Sequence, residues 1–159
     1  INYLLGLLRI DGPGWLFDRA WAMPAIILTS VWKDLGFVMV IFLAGLQAIP
    51  ADYHEAAAID GAGPMRRLWD VTLPLLAPTT FFVSVISIIN SFQVFDQVWV
   101  MTEGGPAGAT TVLVERIIRH AFSYGEMGYA STISWVLFAL VFAVTLVQLR
   151  LQRRRAFDA

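Results

Sequence analysis

The chain has 159 residues, 58% of them hydrophobic and only 14% charged; counting its 12 glycines in place of its 4 tyrosines gives about 63%, against roughly 45–50% in soluble domains. A domain of this size has too much surface for its volume to bury that share of its residues, so a bilayer is the solvent that suits it. The net charge of −1, from 11 basic and 12 acidic side chains, leaves no positive excess for nucleic-acid phosphates, and the absence of cysteine removes disulfides, thiol catalysis and cysteine-ligated metals.

The first 22 residues open on a short apolar run from Ile1 to Leu8 and lack the basic-then-apolar start of a signal peptide. They read as an external loop of a longer protein. Residues 23–49 form the first stretch long enough to cross a membrane, which takes about 20 mostly apolar residues. Lys33 and Asp34 interrupt it. At 100° per residue, Ser30, Lys33, Asp34 and Phe37 share one arc of about 100°.

Residues 50–74 form a polar connector. Pro50 and Asp52 suit a helix start, Ala56, Ala57 and Ala58 favour helix, and Gly61 suits a C-terminal cap, giving a helix of about ten residues. Gly63-Pro64 breaks the chain, after which Met65, Leu68, Trp69 and Thr72 recur at helical spacing. Such a short, small-faced helix fits a narrow cleft on a soluble partner, because alanines let backbones approach closely; an ordinary interhelical loop is the other reading.

Residues 75–101 form the second apolar stretch and carry Asn90, Gln93, Asp96 and Gln97. As a second transmembrane helix, it brings Ser87, Asn90, Gln93 and Gln97 within one arc of about 120°. Charge at the bilayer centre costs at least about 2.5–3.5 kcal/mol, so polar groups in both stretches should face protein or water. Two polar stripes on neighbouring spans line one lumen, or glue helices together. Asp34, Phe37, Asn90, Phe92 and Gln93 supply the carboxylate, amide and aromatic groups that such a lumen would offer a polar solute.

Residues 102–129 form a Gly-rich connector. Within it Leu113, Val114, Ile117, Ile118, Ala121 and Phe122 make an apolar stripe opposite Glu115, Arg116, Arg119 and His120, the pattern of a helix at the membrane interface. Residues 130–149 form the third span, and residues 150–159 a basic tail with Arg150, Arg153, Arg154 and Arg155. Basic residues stay cytoplasmic. Arg66, Arg67 and the tail arginines outnumber Arg9, Arg19, Arg116 and Arg119, which places the 50–74 connector and the C-terminus in the cytoplasm and the start of the chain outside.

Glu55-Ala56-Ala57, three residues, Gly61, nine residues, Val71, one residue, then Leu73-Pro74 resembles the EAA loop of bacterial ABC importer permeases. Val71 stands where that family prefers isoleucine. Trp32, the run from Leu43 to Pro50, Gly104-Gly105-Pro106 and Gly128-Tyr129-Ala130 extend the resemblance along nearly the whole chain to the carbohydrate-uptake, MalF-like and UgpA-like subgroup. Arg9-Ile10-Asp11 departs from the pattern. The fold implied is an all-α membrane protein, three transmembrane helices of a MetI-like permease bundle with a cytoplasmic coupling helix, and the chain matches the C-terminal half of such permeases.

The resemblance implies that the helix carrying Glu55, Ala56, Ala57, Asp60 and Gly61 docks in a cleft of an ATP-hydrolysing subunit, Glu55 pairing with a basic group there. It places the sugar path at Ser30, Asp34 and Phe37 and around Asn90, Ser91 and Val94, beside Gln93 from the polar stripe. The Lys33-Asp34 pair and Val94 depart from the maltose-type pattern, so maltose specificity does not transfer. The implied partners are a second homologous permease, an ATP-binding subunit dimer, an extracytoplasmic solute-binding protein, a carbohydrate-like solute and the lipid of the cytoplasmic membrane. The chain has no phosphate loop of the G-x-x-x-x-G-K-[ST] kind, so ATP hydrolysis is expected on another subunit and no enzyme, cofactor or metal on this one. His54 and His120 fall on opposite sides of the membrane with no carboxylate at metal-ligand spacing. A membrane scaffold that only recruits an ATPase, and a secondary transporter, are the alternative readings.

Overall fold

The structure is a computed structural model that describes residues 2–7, 9 and 12–157. Ile10 and Asp11, and the side chains of the tail residues Arg153, Arg154 and Arg155, lie outside the described residues. Every regular element among the described residues is helical: α1 (Asn2–Leu7), α2 (Ala22–Gln47), α3 (Ala51–Ile59), α4 (Pro64–Arg67), α5 (Leu73–Leu75), α6 (Ala77–Phe92), α7 (Asp96–Met101), α8 (Leu113–Ile118) and α9 (Met127–Phe157). The fold class is therefore all-α. Its 26 residues make α2 about 39 Å long, more than the hydrocarbon core of about 30 Å, and α9 contains an apolar run of 24 residues.

The run from Leu75 to Met101 is not one helix, as its apolar character suggests, but three pieces. The pair formed by Pro64–Leu75 and Ala77–Phe92 is bent by 62°. Its cause is the spacing of Pro74 and Pro78: Pro78 has no N–H to give the Pro74 carbonyl four residues earlier, and its ring crowds that carbonyl. Flanking bonds survive, from Leu76 N–H to the Thr72 carbonyl at 2.9 Å and from Thr80 N–H to the Leu76 carbonyl at 2.8 Å. A second break follows Phe92. Gln93 N–H turns back to the Asn90 carbonyl at 3.2 Å, and the chain restarts at α7, where Phe95 stacks on Trp99 with ring centroids 5.4 Å apart.

The chain divides into two compact units. The first comprises Ile1–Lys33 and Asn90–Val144, the second Asp34–Ile89 and Thr145–Ala159. Small residues dominate the interior of the first, with Ala22, Ala25, Ile26, Val98, Ala121 and Ala130 buried. In the second, Thr72, Leu76 and Val83 are buried. Large apolar side chains point outward along the long helices, Trp32 being 79% and Trp135 71% exposed. That distribution suits a protein whose surface meets lipid or other membrane helices rather than water.

Candidate functional site

The connector between α2 and α5, all within the second unit, folds as a short helical hairpin. Pro50 caps α3 with a φ of −59° already set by its ring, and Asp52 lies in the first turn, where a carboxylate complements the helix dipole. The helix closes with a Schellman motif. Gly61 N–H bonds the Ala58 carbonyl at 3.0 Å and Ala62 N–H the Ala57 carbonyl at 2.9 Å, while Gly61 takes the left-handed φ of +76° that the motif needs. The glycine cap read from the sequence is thus in place. Packing of α3 against α4 and the turn after it leaves Ala57 half-buried, with Glu55, Ala56 and Asp60 exposed.

The return strand of this hairpin departs from a regular α-helix. Residues 68–72 form a π turn rather than the continuous helix implied by the spacing of Met65, Leu68, Trp69 and Thr72. Buried Thr72 donates its hydroxyl to the Arg67 carbonyl at 3.3 Å, five residues back. Arg66 and Asp70 pair at 3.1 Å across an exposed face, a contact worth little on its own. The hairpin also presents Ile59 (86% exposed), Met65 (68%) and Trp69 (63%) outward. Exposed apolar side chains on a polar connector suit burial against another protein or a membrane surface.

The polar positions of the long helices divide between the two units. In the first, Ser30 is half-buried and spends its hydroxyl hydrogen on the Ile26 carbonyl at 2.9 Å, leaving its lone pairs to accept. In the second, Asp34 is half-buried and Phe37 is exposed on the same helix, α2. Among the described residues neither Lys33 nor Asp34 belongs to an ion pair. Asn90, Ser91 and Gln93, of the first unit, are exposed around the end of α6. The arc proposed for Ser87, Asn90, Gln93 and Gln97 does not exist as such. The break after Phe92 removes Gln93 from the helix and puts Gln97 on α7.

The connector between α7 and α9 holds polar groups that the amphipathic pattern misplaces. Glu115, assigned by that pattern to the polar face of an exposed helix, is 1% exposed. Arg119, one turn on, pairs with its Oε1 at 2.5 Å and donates to the Glu103 carbonyl at 2.6 Å, so the loop before α8 is clasped over the carboxylate. Gly104 allows this: its φ is +84°, and an added Cβ would sit 3.4 Å from both Glu115 and Arg119 side-chain atoms. Thr110, wholly buried, donates to the Gly105 carbonyl at 2.7 Å and lies 2.7 Å from the Thr102 hydroxyl. Helix α8 itself stops at Ile118, and residues 119–123 form a π turn. His120 Nδ1 lies 2.7 Å from Glu126 Oε2, with the rings of Tyr124 and Tyr129 edge-on at 5.1 and 4.6 Å. The i, i+4 spacing of Glu115 and Arg119 was the one sequence signal for this clasp. Among the described residues no group of three or more histidines and carboxylates is placed to hold a metal ion.

Residues 3–157 match the family model for the inner membrane component of binding-protein-dependent transport systems. The chain is 41% identical over 155 residues to the sulfoquinovosyl glycerol transport system permease protein SmoG of Agrobacterium fabrum, covering 98% of this chain and 50% of that protein. It is 40% identical over 154 residues to the trehalose/maltose transport system permease protein MalF of Thermococcus litoralis, covering 97% of this chain and 52% of that protein. Against the sn-glycerol-3-phosphate transport system permease protein UgpA of Brucella abortus the figures are 41% over 152 residues, 94% and 52%. The chain thus spans about half the length of the curated relatives it matches. In fold it is similar to a chain of a bacterial ABC transporter that imports the acidic polysaccharide alginate, with a TM-score of 0.84 at 24% identity over 96% of this chain and 54% of that one.

Proposed function

The chain belongs to the family of inner membrane components of binding-protein-dependent transport systems, and from that premise we propose that it forms part of a permease subunit of an ABC importer. Its solute is a sugar or related polyol, carried across the cytoplasmic membrane. The work is driven by a partner ATPase dimer, the pathway is completed by a second permease, and an extracytoplasmic binding protein delivers the solute. The observation that carries this reading is the hairpin of α3 and α4. A Schellman-capped helix, with Glu55 outward and small side chains around it, sits in a short connector between apolar stretches, on the residues of the EAA motif.

The geometry suits docking. Alanines let a cleft close on the helix backbone, the Glu55 carboxylate accepts from a basic group of the ATPase, and Ile59, Met65 and Trp69 lose their exposure to water on contact. The hairpin is then cytoplasmic, as is the C-terminus, while the clasped connector from Thr102 to Tyr129 faces outward. Ser30, Asn90, Ser91 and Gln93 of the first unit and, separately, Asp34 and Phe37 of the second are the positions that the resemblance assigns to the solute path. Amides and carboxylates there exchange hydrogen bonds with hydroxyls, and Phe37 offers a face to a sugar ring. The relatives' named solutes are all glycosides or polyol derivatives, which supports a hydroxyl-rich cargo.

Affinity purification of the full-length protein from its native membrane tests the reading. It should bring down an ATP-binding subunit, and Glu55→Ala should weaken that capture while leaving the permease partner in place. Undiminished capture of the ATPase by a variant lacking both Glu55 and the apolar trio of Ile59, Met65 and Trp69 would contradict this docking role.

A further inference from the structure

The hairpin transmits force only if its two attachments to the long helices are stiff, and one of them is the 62° bend at Leu76. Two prolines have removed backbone bonds there, so a push on α3 would be absorbed by flexing at the bend unless something holds it. The structure places a glycine of α2 against that point. Gly45, two residues before the end of α2, lies so close to Leu76 and Thr79 that a Cβ added to it would sit 2.7 Å from Thr79 Oγ1, 3.0 Å from Thr79 Cγ2 and 3.1 Å from Leu76 Cδ2. Leu76 is the buried residue at the bend itself, and Thr79 lies in the first turn of α6 beyond it. All three belong to the second unit.

We propose that Gly45 is a positioning residue for coupling: its contact with Leu76 and Thr79 clamps the bend, so that α2, the hairpin and α6 move as one lever when the hairpin is displaced. The inference rests on the reading of α3 as the ATPase-docking element. The contact has little room to give. Thr79 is β-branched, and both of its γ atoms face Gly45, so any other staggered rotamer still leaves one of those two positions filled. A methyl group on residue 45 therefore pushes α2 off the bend and releases the clamp. Removing the γ atoms of Thr79 makes room for that methyl and restores the contact.

The test uses the complete transporter reconstituted in proteoliposomes with its ATPase and binding protein. Gly45→Ala should leave the ATPase bound and basal hydrolysis intact, but lower solute-stimulated hydrolysis and uptake by about fivefold or more, the scale of an overpacked contact. Adding Thr79→Ala should return both to within about twofold of wild type. A role in folding alone would instead lower assembly and leave the ratio of stimulated to basal hydrolysis per assembled complex unchanged. That result overturns the inference, as does wild-type stimulation in Gly45→Ala or failure of the double variant to recover. A wild-type complex that holds no ATPase overturns the docking reading itself, and the inference with it, whereas the preceding results leave that reading standing.

Discussion

Gly61 provides a substitution series whose order is set by backbone conformation and not by size. A Cβ added at this position meets no atom within 4 Å, so there is no steric neighbour to offend. The whole penalty comes from holding an L residue at φ +76°, about 1–2 kcal/mol. Escape to negative φ would forfeit the two Schellman bonds from Gly61 and Ala62, each worth about 0.5–1.5 kcal/mol net, and gains nothing. Alanine should therefore keep the motif and lose about 1 kcal/mol, a shift of about fivefold in the population of the closed cap. Asparagine, larger than alanine but tolerant of the left-handed region, should lose less, and valine, β-branched, should lose more. Hydrogen exchange of the amides of Gly61 and Ala62, or of the residues replacing them, reads the cap directly. ATPase capture by the same variants reads its use. The order Gly, Asn, Ala, Val is expected in both. Asparagine below alanine, the order volume would give, would show that size and not backbone conformation sets the penalty, and equal values for all four would show that the cap does not matter.

Other consequences follow from the same geometry. Arg119→Met leaves the Glu115 carboxylate buried without its cation and should cost about 2–3 kcal/mol, less than a fully buried pair because Arg119 is itself 36% exposed; pairing it with Glu115→Gln should recover part of the loss in thermal melting of the purified complex, and no recovery would contradict the clasp. Asp34→Asn should change solute affinity or choice while the complex assembles normally, whereas reduced assembly with unaltered transport would assign Asp34 to helix packing. With no native cysteine to interfere, a single cysteine at Ala107 should react with a membrane-impermeant maleimide added from outside; reaction only from the cytoplasmic face would overturn the orientation drawn from the arginines.

What the sequence allowed to be read, and what it hid, divides along the line between local and tertiary information. The bounds of α3 and its cap at Gly61 follow from propensity and one backbone angle, both local, and the long apolar helices α2 and α9 follow from composition over 20 or more residues. The bend at Leu76 was also legible in principle, in the four-residue spacing of Pro74 and Pro78; the apolar character of the stretch from Leu75 to Met101 masked it. Burial of Glu115 was not legible. A helical wheel assigns a charged residue to water, whereas the Glu103-Gly104 loop, folded over it and tied by Arg119, helps to make an interior there. The π turns at 68–72 and 119–123 each insert one residue into a helical turn, which shifts every later position by about 100° and defeats a periodicity count. For the solute path, an arc drawn through Asn90, Gln93 and Gln97 assumed a helix that ends at Phe92.

The proposed role is that of a permease, of which this chain is a part, that admits a hydroxyl-rich solute at the expense of ATP hydrolysed on another subunit. Uptake by proteoliposomes holding the complete transporter, supplied with its binding protein, a panel of radiolabelled sugars and polyol phosphates and ATP on the side of the hairpin, measures it directly. Accumulation of one class of solute is expected, dependent on ATP and the binding protein and lost when Glu55 and Gly61 are replaced together. Accumulation driven by an ion gradient in the absence of ATP, or an assembled ATPase complex that transports none of the panel, would contradict it.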